Sequence, residues 1–188
     1  MNKYATQNDL LLNKLLVYYK NKEHLERMLS IINGESSISL RIVDWFVTNY
    51  AKQKFTSYTF GNPDGSINRF KVYIDYKLQL KAYSKRRFDP FCRWDRITIP
   101  YGDDCMIQTT IGQLNFFKWA IENKVIAYIT ENYKTIENDM NDRNSSTKKK
   151  SDKEGCSDNK TRKKREELSV FASRSIKKEN IEIVVSFE

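Results

Sequence analysis

The chain has 188 residues, of which 39% are hydrophobic and 13% aromatic, so it is long and apolar enough to bury the core of one domain. Its formal net charge of +9 points to acidic partners, of which nucleic acid and anionic membrane are the commonest. No apolar run approaches the roughly 18 residues of a membrane span, and the irregularly spaced cysteines fit neither a disulfide framework nor a zinc knuckle. The composition therefore predicts a soluble intracellular protein with no membrane partner.

Helical periodicity dominates the first quarter of the chain. Apolar residues recur at spacings of three and four over residues 8–33, which Gly34 ends, and again over residues 37–54. The first segment fits either one helix or two helices broken near Asn21. Both segments are amphipathic, so we expect each to pack one face on the core.

The period changes to that of a strand in FTSYTF (55–60) and INRFKVYI (67–74). These runs flank a Pro-Asp-Gly turn and therefore predict a β-hairpin. The following residues 75–87 fit both a strand and a helix. We favour a helix that ends before Asp89-Pro90, because proline disfavours helical backbone at the residue before it.

A second group of elements follows this break. Residues 97–100 and 105–109 read as two short strands around a turn. Thr110 and Gln113 then form a capping box at the start of a helix over residues 110–138, for which a bend near Asn123 is an alternative to one straight helix. This helix carries the strongest apolar pattern in the chain, so we expect it to form much of the core.

The last quarter of the chain has a polar part and an ordered part. Residues 141–165 contain no large apolar side chain and carry ten basic and four acidic residues, so we expect them to be disordered. Residues 166–188 end in the alternating pattern of a half-buried strand, which we expect to dock on the body formed by residues 1–140. The sequence therefore predicts a single α+β domain in which helices pack on a small, mainly antiparallel sheet.

Catalytic motifs are scarce. The single histidine, His24, lies at a polar helical position that predicts a solvated surface residue, and no glycine-rich phosphate-binding motif is present. Asp103 and Asp104 are paired carboxylates of the kind that hold a divalent metal, but a turn between strands also favours Gly and Asp. We therefore expect no catalytic residue, metal or cofactor, and a metal-dependent enzyme at these aspartates is the weakest alternative.

A basic stretch follows the predicted hairpin. Residues 77–96 contain seven basic and two acidic residues, and three lysines fall at every fourth position. On a helix these lysines would form a row able to follow a phosphate backbone. The basic residues of this predicted patch are Lys77, Lys81, Lys85, Arg86, Arg87, Arg93 and Arg96.

Three aromatic residues lie in the same stretch, at Phe88, Phe91 and Trp94. In one interpretation they offer faces for stacking on bases or for docking on a partner protein. In the other they are buried anchors of an irregular turn, and the arginines pair with acids or cover apolar surface through their stems. We favour anchors over stacking platforms.

A second basic cluster lies in the polar segment 141–165. Its two groups, KKK and TRKKR, also have the spacing of a bipartite nuclear import signal, and solvated charge without a specific role is the competing interpretation. The candidate nucleic-acid-binding residues of this segment are Lys148, Lys149, Lys150, Arg162, Lys163, Lys164 and Arg165.

Four stretches carry a family resemblance: SLRIVDWFVTNYAK, FKVYIDYKLQLKAYSKRRFDPFCRWDRI, TTIGQLNFFKWAIENKVIAYI and SRSIKKENIEIVVSFE. Together, from about residue 36 onward, they resemble a family of small uncharacterised proteins of nucleocytoplasmic large DNA viruses, in the mimivirus-like and algal-virus groups. The resemblance implies an infected-cell setting: the host cytoplasm or nucleus, the viral factory or the virion. It implies no activity, cofactor or catalytic residue.

These observations lead to two expectations about function. The first is a non-enzymatic viral protein that binds DNA or RNA through the predicted patch and the basic segment. The alternative is a structural or adaptor protein of the virion or viral factory that binds another viral protein through the aromatic FDPFCRW turn. The two differ in salt dependence, because phosphate contacts weaken steeply as salt rises and a largely apolar interface does not.

Overall fold

The computed structural model describes residues 6–61, 65–101, 105–151 and 178–180. Its helices are α1 (Gln7–Tyr19), α2 (Lys22–Ile32), α3 (Leu40–Trp45), α4 (Ala51–Gln53), α5 (Val72–Arg87), α6 (Ile111–Glu122), α7 (Val125–Glu131) and α8 (Tyr133–Ser151), with a π-helical segment (Phe46–Tyr50) between α3 and α4. Its strands are β1 (Ser57–Gly61), β2 (Ile67–Lys71), β3 (Arg96–Pro100), β4 (Cys105–Thr110) and β5 (Lys178–Asn180). This combination of helices and antiparallel strands confirms the predicted α+β class.

Polar side chains cap the first two helices. At α1 the Asp9 backbone N–H donates to the Thr6 hydroxyl at 3.2 Å, and the Thr6 backbone N–H donates to the Asp9 carboxylate at 2.8 Å, which completes a capping box. At α2 the Glu23 backbone N–H donates to the Asn21 side-chain oxygen at 3.1 Å. The periodic segment 8–33 is therefore two helices, and the break falls at Asn21.

The predicted β-hairpin is confirmed, but its second strand ends at Lys71, and residues 72–74, which were predicted as strand, belong to α5. Strands β1 and β2 pair antiparallel, with Ser57 opposite Lys71. One face of the hairpin is buried: Tyr58 stacks on Tyr128 of α7 with ring centroids 4.9 Å apart. Side chains therefore alternate between a face that packs on the helices and a face that solvent reaches. Residues 62–64 of the turn lie outside the described residues.

Helix α5 starts directly after the hairpin, which decides the ambiguous segment in favour of a helix. The Val72 backbone N–H donates to the Thr56 carbonyl at 3.2 Å, so the first turn of α5 is fixed to the start of β1. Ser84 has φ 59° and ψ 169°, which interrupts the helical backbone before its end. The last turn of α5 therefore has a different direction from the rest of the helix.

The second sheet has three antiparallel strands in the order β3-β4-β5. Its outer strand β5 lies beside β4 with Lys178 opposite Ile107, so residues 178–180 pair with a strand of the body. The alternating residues 181–187, on which the prediction of a C-terminal strand depends, lie outside the described residues. The sequence predicts one sheet, whereas the structure has two, because α5 and the turn after it occupy the chain between the hairpins.

Helix α6 lies at the centre of the core. The side chains of Leu114 and Phe117 are fully buried, and the Tyr19 hydroxyl donates to the Leu114 carbonyl at 2.8 Å, which ties α1 to α6. The Gln113 backbone N–H donates to the Thr110 hydroxyl at 3.1 Å. The predicted helix start at Thr110 is therefore confirmed.

The C-terminal helices differ from the prediction in two ways. The helix predicted over residues 110–138 is three helices. The chain turns between α6 and α7 at Lys124, with φ 58°, next to the bend that the sequence left open near Asn123. Helix α8 continues to Ser151, so residues 141–151 of the segment predicted to be disordered are helical. An existing helix extends without a new nucleus, so a polar sequence can continue it. Residues 152–165 lie outside the described residues.

Candidate nucleic-acid interface

The turn after α5 buries two of the three aromatic residues proposed as contact surface. Phe88 and Phe91 belong to the core, and the Phe88 ring lies 5.3 Å from Phe116 and 5.4 Å from Trp119 between centroids. The prediction that Phe88 and Phe91 bind a partner is therefore wrong, and the interpretation as buried anchors holds. Trp94 is 44% exposed and is the remaining aromatic of the three that solvent reaches.

Helix α6 fixes the backbone of this turn. The Asn115 side-chain amide donates to the Arg87 carbonyl at 2.9 Å, and the Gln113 side-chain amide donates to the Pro90 carbonyl at 2.9 Å. At Gly112 a Cβ atom would lie 2.9 Å from the Arg86 carbonyl oxygen, so the two segments approach as closely as glycine allows. The turn is therefore an integral part of the core.

Carboxylates neutralise two arginines of the predicted patch. Arg93 donates two hydrogen bonds to Asp89, at 2.8 and 2.7 Å, and Asp89 is only 3% exposed. The hydrogen bonds to Asp89 raise the pKa of Arg93 above its ordinary value. Arg86 forms an ion pair with the exposed Asp95. These pairs cancel most of the field that the two arginines would direct at a phosphate.

Two further arginines are held by neutral amides. Arg87 donates to the side chain of Asn8 at 2.7 Å and to that of Gln7 at 3.1 Å, which ties the end of α5 to the start of α1. Arg96 donates to the side chain of Gln108 across β3 and β4 at 3.0 Å. Both arginines keep their charge, because an amide does not neutralise it, but their guanidinium groups are already bound within the protein.

The lysines of the patch are different. Lys77 and Lys81 lie one turn apart on the exposed side of α5, and among the described residues neither has a hydrogen-bond or ion-pair partner. Lys85 is also exposed, but it follows the break at Ser84. The predicted row of three lysines is therefore wrong at its last member, because α5 does not continue with one axis through Lys85.

The fold adds basic residues that the sequence analysis missed. On the exposed face of the hairpin Arg69 and Lys71 alternate with buried residues, and Lys52 and Lys54 lie exposed at the end of α4. The period of two in β2 was the signal that could have found Arg69 and Lys71. We call the following set the hairpin–helix surface: Lys52, Lys54, Arg69, Lys71, Lys77 and Lys81.

Contacts join the parts of this surface. The Lys52 ammonium lies 5.8 Å from the centroid of the Tyr73 ring, in the first turn of α5. The Thr56 carbonyl, just after α4, accepts the hydrogen bond from Val72. Because Lys71 ends β2 and Val72 starts α5, the end of α4, the open end of the hairpin and the start of α5 meet at one place.

Few acidic residues lie in the chain segment that carries the hairpin–helix surface. Residues 45–88 contain nine basic and two acidic residues, so their net charge is nine minus two, or +7. One of the two acids, Asp75, accepts a hydrogen bond from the Trp119 indole N–H at 2.6 Å and so faces α6. The other, Asp64, lies outside the described residues. Within the described part of the chain, no ion pair neutralises a member of the surface.

The basic residues of the C-terminal segment are only partly placed. The backbone of Lys148, Lys149 and Lys150 lies in α8. Residues 162–165 lie outside the described residues, so the second group of candidate residues, Arg162 to Arg165, has no structural assignment.

His24 is half-buried and stacks on Tyr18 with ring centroids 4.2 Å apart, so the prediction of a solvated histidine is wrong. In residues 6–61, 65–101, 105–151 and 178–180 no three His, Cys, Asp or Glu side chains form a group that could hold a metal ion. Asp103 and Asp104 lie outside these ranges. Over the same ranges no helix has the length and apolar content to cross a membrane.

Comparison with known proteins places the chain in a family. Residues 2–167 match a family of unknown function, DUF7197. The uncharacterized protein L507 of Acanthamoeba polyphaga mimivirus is 47% identical over 128 residues, which are 65% of this chain and 49% of that protein. The chain thus spans about half the length of this relative. No solved structure matches the chain. These matches confirm the resemblance to proteins of large DNA viruses, and the chain belongs to the DUF7197 family.

Proposed function

We propose that the protein binds the phosphate backbone of nucleic acid through the hairpin–helix surface. One observation carries the proposal: six exposed basic side chains lie on three elements that meet at one place, and no described carboxylate pairs with them. Phosphates would bind there without first displacing an internal partner, which they would have to do at Arg86 or Arg93. The ordered part of the predicted patch therefore contributes mainly Lys77 and Lys81.

The basic C-terminal segment has a supporting role in this proposal. Its lysines and arginines would add affinity that falls as salt rises, without base recognition. Sequence specificity requires contacts to base edges, and lysines on a hairpin and a helix contact phosphates regardless of sequence. We therefore propose sequence-independent binding. We propose the infected host cell or the virion as its setting, because a relative of the chain is a mimivirus protein.

A titration of fluorescently labelled DNA and RNA across a salt series tests this function. The variants are a chain without residues 152–165 and a surface variant with Arg69→Gln, Lys71→Gln, Lys77→Gln and Lys81→Gln. We expect the surface variant to lose affinity and to lower the slope of log K against log salt by about 3, since each lost contact accounts for roughly 0.7 to 0.9.

The deletion variant distinguishes binding by the hairpin–helix surface from binding by residues 152–165 of the basic segment. If its slope stays close to that of the full chain, the ordered surface provides the main phosphate contacts. Binding that disappears with residues 152–165 and is unchanged in the surface variant would contradict the proposal. Thermal unfolding of the surface variant should match that of the full chain, because the replaced side chains are exposed.

The second candidate function is a protein-binding adaptor. It is favoured by Trp94, which is 44% exposed, and by Ile74 and Leu78, which lie exposed one turn apart on α5. An adaptor that uses these residues would bind a purified viral partner with little salt dependence. Replacing Trp94 with Ala should abolish such binding, and nucleic-acid binding that is steeply salt-dependent and unaffected by this replacement would favour the first function.

A further inference from the structure

The residue Phe55, just after α4, is the most exposed large apolar side chain in the part of the chain that the structure describes. Its side chain is 88% exposed, and its backbone has φ 48°, in the left-handed region that disfavours residues with a Cβ atom. Both features oppose stability in the free protein, because an apolar ring gains nothing from water and the backbone is strained.

The geometry of this helix end makes Phe55 more unusual. The Thr56 backbone N–H donates to the Ala51 carbonyl at 3.2 Å, and this bond is typical of a Schellman motif, in which glycine is the usual residue at the left-handed position. The same motif ends α2: the Glu35 backbone N–H donates to the Ser30 carbonyl at 2.8 Å, and Gly34 holds the left-handed position with φ 75°. At the end of α4 the residue in the left-handed position is Phe55 and not a glycine.

Lys124 is a second residue other than glycine with a left-handed backbone at a helix end, and its side chain is polar. Its φ is 58°, but its ammonium group is well solvated in the exposed position it occupies. The Phe55 ring has no such compensation, and a contact between the ring and a ligand would offset this cost.

Three basic residues lie close to Phe55 along the chain or in the register of the hairpin. Lys52 and Lys54 precede it in the same turn, and Lys71 lies opposite Ser57, two residues after it. An exposed aromatic face among lysines is the combination by which proteins bind single-stranded nucleic acid: the cations hold the backbone and the ring stacks on a base. A purely apolar partner surface would instead have to remove these ammonium groups from water without pairing them.

We propose that Phe55 is a stacking platform for an unpaired base, and that the hairpin–helix surface therefore prefers single-stranded over double-stranded nucleic acid. This inference rests on the proposed function. In a duplex the base faces are already stacked on one another, so the ring has no face to reach, and only the phosphate contacts remain. In a single strand the ring and the cations bind together.

The test compares single-stranded and duplex oligonucleotides of about 20 nucleotides, which is longer than a typical single-strand site. The probes are fluorescein-labelled oligothymidylate, oligouridylate and a DNA duplex, and the protein is the full chain. The variants are Phe55→Ala, Phe55→Leu and Phe55→Trp. The matched control is Val17→Ala on α1, which removes a side chain that is 65% exposed and lies outside the surface.

We expect Phe55→Ala to weaken single-strand binding by about tenfold, within the range found when one stacking aromatic is lost. Duplex affinity and the salt slope should stay unchanged, since no phosphate contact is removed. Phe55→Trp should retain binding and Phe55→Leu should not, because leucine is apolar but has no π face. Thermal unfolding should show that all variants are folded.

Three results would overturn the inference. The first is equal loss of single-strand and duplex affinity in Phe55→Ala. The second is full affinity in Phe55→Leu. The third is a concentration-dependent dimer in sedimentation that Phe55→Ala abolishes, because the ring would then contact a second copy. If the surface variant loses binding in the same assay while Phe55→Ala does not, the proposed function stands and the stacking role fails. If the full chain binds no probe, both fail.

Discussion

The turn after α5 and the hairpin–helix surface are both rich in basic residues, but they use their charge differently. In the turn, Arg93 and Arg86 pair with aspartates, and Arg87 holds the start of α1. On the surface, Lys77 and Lys81 extend from α5 without partners among the described residues. Basic sequence alone therefore does not distinguish a residue that stabilises the fold from one that is available to a ligand.

This difference predicts that substitutions in the turn change stability and substitutions on the surface change affinity. The largest stability effect is expected for Arg93→Ala, which leaves the buried Asp89 without its partner and should lower the free energy of unfolding by about 3 kcal/mol. Urea titration measures this loss. Nucleic-acid affinity of the folded variant should be unchanged. A large loss of affinity would contradict the assignment of Arg93 to stability and not to binding.

The matched control for Arg93→Ala is Arg86→Ala. Its partner Asp95 is exposed, and solvent screens an exposed ion pair, so Arg86→Ala should lose much less stability than Arg93→Ala. A similar loss of stability in the two variants would show that burial of the aspartate does not decide the effect.

A smaller loss is expected from Gly112→Ala. The added Cβ would lie 2.9 Å from the Arg86 carbonyl oxygen, so the turn or α6 must shift, at a cost of about 2 kcal/mol. Gly61→Ala is the control, because nothing lies within 4 Å of a Cβ at that position. If Gly112→Ala unfolds at the same urea concentration as Gly61→Ala, the turn is less tightly held by α6 than the distances indicate.

Alkaline pH should also weaken the core beside the turn. Burial, with the nearby Asp44 and Asp89 carboxylates, raises the pKa of Tyr76 to about 12, from an ordinary value of 10.0. The folded state therefore holds this proton more tightly than the unfolded state, so the contribution to stability is complete below pH 10 and is lost as the pH rises to about 12. In urea titrations, Tyr76→Phe should lose less stability over this range than the full chain, and an equal loss would contradict the assignment.

The smallest expected effects compare one residue from each region. Lys81→Gln should lower the salt slope of single-strand binding by about 0.7, as expected for one phosphate contact. Arg86→Gln should leave the slope nearly unchanged, since Asp95 already neutralises that arginine. The same salt titration measures both slopes. A larger change of slope in Arg86→Gln than in Lys81→Gln would indicate that nucleic acid binds at the predicted patch and not at the hairpin–helix surface.

Local patterns in the sequence were sufficient to predict many elements. The capping residues of α6, the period of two in the hairpin and the break at Pro90 act over a few residues, so the chain itself displays them. The α+β class followed from these elements. The burial of Phe88 and Phe91 was the favoured interpretation because aromatic side chains around a proline turn commonly anchor it to a core.

Long-range partners were not predictable in the same way. The bond between Arg87 and Asn8 joins residues far apart in the chain, and no sequence period reports it. The break at Ser84, which removes Lys85 from the row, occurs in a segment whose pattern fits a continuous helix. The role proposed for Phe55 was not predictable from the sequence either. Only the fold shows that Phe55 lies at a left-handed position where glycine is usual and that its ring is exposed.

An equal-charge comparison tests the central claim most directly. The surface variant lacks four positive charges, and a turn variant with Lys85→Gln, Arg86→Gln, Arg87→Gln and Arg96→Gln lacks the same number. Both have the same net charge, so their salt slopes for single-stranded DNA isolate the position of the charge. We predict a slope lowered by about 3 in the surface variant and by less than about 1 in the turn variant. Equal slopes in the two variants would contradict the claim that the hairpin–helix surface is the binding site.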